Sequence, residues 1–157
     1  MTADLRVTSS AFGQNETIPT SAAHTDAGGQ NLSPQLAWSQ GPPDTKSFAI
    51  SCWDPDAPTT VGFCHWIRFG IGPDIHKLDE ADEAVGSDGF TDWGESRYGG
   101  MAPPAGDPPH RYQFTVYALD VASPGFDATT TYAKFRFMIK DHVVASGSLI
   151  GLFGVEG

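Results

Sequence analysis

Lysine and arginine are scarce in this chain of 157 residues. Nine of them face 19 Asp and Glu, and the net charge is -10. Such a field repels nucleic acid and anionic membrane surfaces, and no basic cluster offsets it, so nucleic acid is excluded as a partner. An Asp-rich, Lys-poor surface also suits a salt-loving organism, where salt screens self-repulsion; an ordinary acidic soluble protein is the simpler reading. Only two cysteines occur, Cys52 and Cys64, too few for a disulfide scaffold. They lie in neighbouring strand-like segments and could face each other, although two reduced core thiols are the plainer expectation. No apolar run is long enough to cross a bilayer. Met1 to Arg6 carries no basic patch followed by an apolar stretch, so no signal peptide is expected and the cytoplasm is the default location. Repeats and linkers are also missing, which predicts one domain over 1–157.

The hydrophobic fraction of 39% is that of a folded globular chain, and 18 glycines and 12 prolines punctuate its short apolar runs. Strand-like stretches are Leu5–Val7, Gln35–Trp38, Ser47–Trp53, Cys64–Phe69, Arg111–Leu119 and His142–Ile150. Many short strands separated by turn signals predict an all-β sandwich or barrel. One helix is expected from Tyr132 to Lys140, capped by Thr129 or Thr130, with Phe135, Met138 and Ile139 on one core-facing side. A second, weaker helix could cover Ile75–Ala84. The Gly/Asp-rich stretch from Gly86 to Gly100 reads as a long loop, a place where function often resides.

Three segments concentrate unusual residues. Asp54-Pro55-Asp56-Ala57-Pro58 forms a stiff turn at a strand end, with Ala57-Pro58 a candidate cis bond. Gly62-Phe63-Cys64-His65-Trp66 places His65 at a strand start. The Gly/Pro loop Tyr98–Pro109 delivers His110 and Tyr112 to the mouth of the strongest strand. Residues two apart on a strand share a side, so His110 and Tyr112 face one pocket while Arg111 faces away. His24, His76 and His142 lack nameable partners and read as surface or cap residues. Asn15-Glu16-Thr17 and Asn31-Leu32-Ser33 fit the glycosylation pattern, which is common by chance.

Taken together, these segments resemble the phosphatidylethanolamine-binding protein family, in its bacterial and archaeal Raf-kinase-inhibitor-like branch. Asp54-Pro55-Asp56-Ala57-Pro58 resembles the first signature, His65-Trp66 the His-aromatic pair, and Gly106-Asp107-Pro108-Pro109-His110-Arg111-Tyr112 the second signature. Asn31–Trp38, Lys46-Ser47 and Ser148-Leu149-Ile150-Gly151 extend the resemblance along nearly the whole chain. Met101-Ala102 departs from it, standing where Pro-Cys or a similar pair is usual. The chain stops at Gly157, without the C-terminal helix that partly covers the pocket in animal members. The resemblance implies a Greek-key sandwich of two antiparallel sheets with one or two short helices. It also implies a pocket for phosphate or a phospholipid head group, built from Asp54, Asp56, Pro58, His65, Pro104, Gly106, His110 and Tyr112. Shorter members often pair, so a homodimer is an expectation, aided by exposed edge strands.

Inside a protein of this charge, an anion must be held by short-range donors. His65, His110, Tyr112 and backbone N–H groups beside Gly106 are the candidates. Asp54 or Asp56 would accept from the far nitrogen of a histidine and turn the other nitrogen to the ligand. Anion binding should then be tighter near pH 6 than pH 8. The expected function is non-enzymatic binding or regulation, without cofactor or metal. The alternative is a phosphoryl or acyl hydrolase with a histidine as general base; no Gly-x-Ser-x-Gly elbow or Walker loop supports it. Two histidines and an aspartate could also bind zinc, but neither His-x-x-x-His nor Cys-x-x-Cys spacing occurs.

Overall fold

The computed structural model describes residues 3–122 and 125–157. Its strands, in chain order, are β1 (Ala3–Asp4), β2 (Val7–Thr8), β3 (Glu16–Thr17), β4 (Leu36–Trp38), β5 (Ser47–Asp54), β6 (Phe63–Ile71), β7 (Lys77–Leu78), β8 (Ser87–Asp88), β9 (His110–Leu119) and β10 (Val143–Phe153). Two 3-10 turns occupy Thr20–Ala22 and Thr25–Ala27, and one α-helix, α1, spans Tyr132–Ile139. The large sheet runs β1-β10-β9-β5-β6-β8, with β3 also on β10, and the small sheet runs β2-β4-β7. The expected pair of antiparallel sheets needs a correction. The small sheet is antiparallel, but β1 and β3 both run parallel to β10, so the large sheet is mixed. Both are two-residue strands from the start of the chain set beside its last strand, so nearly the whole chain makes the long return that a parallel pair needs in place of a tight hairpin.

Alternation explains why β9 lies inside the large sheet. Tyr112, Phe114, Val116 and Ala118 are all at most 1% exposed on one face. They pack with Phe48, Ile50 and Cys52 of β5 and with Val7, Leu36, Trp38 and Leu78 of the small sheet, so both sheets enclose one core. The opposite face of the large sheet carries Ala49, Cys64, Ile67, Tyr117 and Leu119 and is covered by α1 through Phe135 and Ile139. Cys52 and Cys64 therefore lie on opposite faces as free thiols and do not face each other.

The helix forms where its pattern places it, but its cap is Thr131, whose hydroxyl accepts from the Lys134 amide at 3.3 Å. Thr130 is instead buried and bonds back to the Asp127 amide, which removes it from capping. The weaker helix over Ile75–Ala84 does not form. Lys77 and Leu78 pair with β4, and Ala81 takes a left-handed φ of 56° that no α-helix accommodates. The Asp82 carboxylate then accepts from the amides of Ala84 and Val85, closing an Asx turn. The Ala57-Pro58 bond is trans.

Candidate functional site

The ends of three central strands converge on one cavity. Asp54 ends β5, His65 lies near the start of β6 and His110 opens β9. The cavity measures about 470 Å³ and is lined by these three with Pro58, Tyr112, Asp92 and Trp93, and by the wall of Ala102, Pro103 and Pro104. The Gly/Pro loop turns at Gly106, four residues before His110, and the alternation of β9 then sends His110 and Tyr112 inward. Arg111 points out and is exposed.

A break in strand register aims His65. Cys52 pairs with Trp66 and Trp53 pairs with Cys64, so His65 is an extra residue with no partner on β5. A bulge of this kind re-aims a side chain at a sheet end. Nδ1 of His65 lies 2.8 Å from the Gly99 carbonyl and 3.1 Å from that of Gly100. A carbonyl only accepts, so Nδ1 carries the hydrogen and Nε2 holds a lone pair in the neutral ring. Burial pushes the His65 pKa below its ordinary value, against the raising effect of both carbonyls. Nε2 has no partner among the described residues. Glycine at 99 and 100 lets this segment pack against Trp93 and the Ala22–His24 backbone. A Cβ on Gly99 would overlap the Trp93 ring, and one on Gly100 would overlap the Ala22 carbonyl.

His110 meets different neighbours. Its Nδ1 lies 2.7 Å from Asp54 Oδ2 and its Nε2 lies 3.0 Å from Asp107 Oδ2. Ionised carboxylates only accept, so this geometry favours a hydrogen on each ring nitrogen, the protonated form. Burial works against that charge, but the bonds to Asp54 and then Asp107 outweigh it, and the pKa is raised. Tyr112 stands between the two histidines, its ring centroid 5.2 Å from His65 and 6.4 Å from His110. Burial first, then the Asp54 carboxylate, raises the Tyr112 pKa, so its hydroxyl keeps its proton.

Of the eight residues expected to build the pocket, six line it: Asp54, Pro58, His65, Pro104, His110 and Tyr112. Asp56 does not. Its carboxylate accepts from the Arg111 amide at 2.9 Å and from the guanidinium at 2.8 and 3.0 Å, on the outer side of the turn. The Arg111 hydrogen bonds draw its pKa down to about 2. Asp56 thus straps the end of β5 to the start of β9. Gly106 does not line the cavity either. Its φ of 88° turns the loop, and its N–H donates to the Val155 carbonyl at 2.8 Å, so it offers no free donor. The expectation of a carboxylate behind a pocket histidine holds for Asp54 and His110, whereas His65 is oriented by carbonyls.

Three further residues shape the site: Asp92, Trp93 and Asp107. Asp92 Oδ2 accepts from the Cys64 amide at 2.7 Å, beside the bulge. Trp93 stacks on His24 at 3.8 Å between centroids and donates to the Gly100 carbonyl at 3.2 Å. Their only advance signal was the long Gly/Asp-rich loop. Asp107 was visible inside the second signature, three residues before His110, but a loop gives no periodicity from which its direction could be read. His24 caps its 3-10 turn, as a cap residue should, by accepting from the Asp26 amide.

A mixed-sheet fold with a cavity of histidines and carboxylates at its strand ends defines a two-sheet β domain. The chain belongs to the phosphatidylethanolamine-binding protein family, whose sequence profile matches residues 8–154. It is 39% identical over 132 residues to the UPF0098 protein YbhB of Escherichia coli, covering 80% of this chain and 83% of that one. The crystal structure of Escherichia coli YbcL, described as a new member of the mammalian PEBP family, is similar with a TM-score of 0.92 and 32% identity. That match covers 98% of this chain and 100% of YbcL. The CT736 homologue from Chlamydia trachomatis gives 0.87 at 29% identity, over 99% and 100% of the two chains.

Proposed function

We propose that this protein binds, without turning over, a small ligand that carries a phosphate-type oxyanion, such as a phosphorylated head group. The observation that carries this reading is His110, which lines the cavity of a strongly acidic protein with a carboxylate at each ring nitrogen, an arrangement that favours its protonated form. Buried Asp54 holds Nδ1 and favours the protonated ring, so Nε2, which rests on half-exposed Asp107, is the charge-assisted donor a ligand oxyanion would take over. The Tyr112 hydroxyl adds a neutral donor. Phe63, Trp93 and the prolines supply apolar walls larger than a phosphate needs, which fits an anion attached to an organic body. The family name, which records binding to a phospholipid, points the same way. Two free thiols buried on opposite faces suit a reducing cytoplasm.

Isothermal titration with inorganic phosphate and with phosphoethanolamine tests the reading. His110→Gln keeps a donor but loses the charge, and affinity should fall about 10- to 100-fold, the range expected of a charge-assisted bond. Equal affinity in the variant would remove His110 from the binding machinery. Binding should weaken as pH rises through the raised His110 value, since the neutral ring no longer donates from both nitrogens.

Neutral His65, with its open Nε2 lone pair, supports a second reading as general base of a hydrolase. Turnover of a phosphate or acyl ester by the wild type, lost in His65→Gln and kept in His110→Gln, would favour it.

A further inference from the structure

We infer that Asp107 is a built-in competitor for the oxyanion position on His110, and that it sets which anions the pocket accepts. This rests on the anion-binding reading above. His110 offers two N–H donors. Asp54, buried at 3% side-chain exposure, takes Nδ1 from inside the fold. Asp107 takes Nε2 at 3.0 Å with its side chain 40% exposed. The first carboxylate is locked by packing and by the Asp56 amide, which donates to it at 2.7 Å. The second is tethered by its backbone but free to swing out to water.

The loop holds that tether in place. Gly106 donates to the Val155 carbonyl at 2.8 Å, the Asp107 amide donates to the Pro104 carbonyl at 3.2 Å, and Pro108 and Pro109 stiffen the path to His110. A carboxylate so positioned is present at high effective concentration beside the Nε2 donor. A ligand reaches that donor only by displacing it. A ligand carboxylate would exchange one monoanion for another and gain nothing to offset its own loss of freedom. A phosphate dianion brings a second charge and more acceptor oxygens, so it gains on the exchange. Asp107 therefore rejects carboxylates and admits phosphate-type groups.

The test compares wild type, Asp107→Ala and Asp107→Asn by titration with inorganic phosphate and with acetate, following the His110 ring by NMR. Wild type should bind phosphate and ignore millimolar acetate. Asp107→Ala should bind phosphate about tenfold tighter and gain acetate binding, with Asp107→Asn in between because its neutral amide oxygen still accepts from Nε2. In both variants, without ligand, the His110 ring should lose its proton at lower pH than in wild type. Phosphate binding that shifts His110 equally in all three proteins, with acetate still excluded, overturns the competitor role and leaves the anion pocket standing. Phosphate that moves His110 in none of them removes both. Because Asp107 is largely outside the core, the Asn variant preserves the loop should the Ala variant misfold.

Discussion

The two pocket histidines are the same residue on the strands that flank β5, equally buried at 4% exposure, yet the fold gives them opposite surroundings. His65 leans on two carbonyls and its pKa is lowered. His110 lies between two carboxylates and its pKa is raised. Burial opposes the charge on both rings, and the acceptor decides which one overcomes it: a carbonyl fixes a tautomer with little compensation of a charge, whereas a carboxylate does both. One histidine of the cavity is thus biased toward its neutral form and the other toward its protonated form.

The largest effect should come from removing the charge behind His110. Asp54→Ala leaves a buried imidazolium without its inner partner, and unfolding stability should fall by about 3–5 kcal/mol, the usual result of breaking a buried pair. Urea denaturation measures it, and a loss under about 1 kcal/mol would mean that Asp107 alone suffices to hold the charge.

A subtler contrast lies in the pH dependence. His110 has a raised pKa, so its contribution to stability is complete below the unfolded value of about 6.5 and disappears as pH rises through the folded one. His65 has a lowered pKa, so its contribution is present above about 6.5 and is lost as pH falls through the folded value. The two slopes oppose each other in the intact protein. His65→Gln should leave a protein that loses stability from neutral to alkaline pH, and His110→Gln one that loses it toward acid. Denaturation midpoints across this range that tilt the same way in both variants would dissolve the contrast.

The smallest effect should be at Asp56. Its pKa of about 2 means that its bonds to Arg111 contribute above roughly pH 4, the unfolded carboxylate value, and are lost as pH falls toward 2. Asp56→Asn should flatten the acid limb of the stability profile and leave phosphate affinity near neutral pH within about twofold, since this side chain is outside the cavity.

Much of the architecture was legible along the chain because alternation is a local property. β5, β6, β9 and β10 lie within a few residues of the apolar runs that predicted them, and α1 ends one residue before its expected limit. The failed helix at Ile75–Ala84 shows where local pattern loses. Pairing with β4 and a left-handed Ala81 are tertiary outcomes that outweigh helix propensity. The signatures identified most pocket residues but misplaced Asp56 and Gly106, since lying in a motif does not determine on which side of a turn a side chain emerges.

The order of residues on its own thus determined the long strands β5, β6, β9 and β10, the helix and the inward pairing of His110 with Tyr112, because each follows from spacing along a regular backbone. The two-residue strands β1, β3, β7 and β8 carried no such signal, and the expected strand at Leu5–Val7 is only Val7–Thr8. Only the folded chain decided that His65 would rest on carbonyls and His110 between carboxylates. Those partners come from residues 99, 100 and 54, at least 34 positions away, and from a glycine-turned loop. A protonation state depends on which atoms lie within about 3 Å in space, and no sequence spacing encodes that.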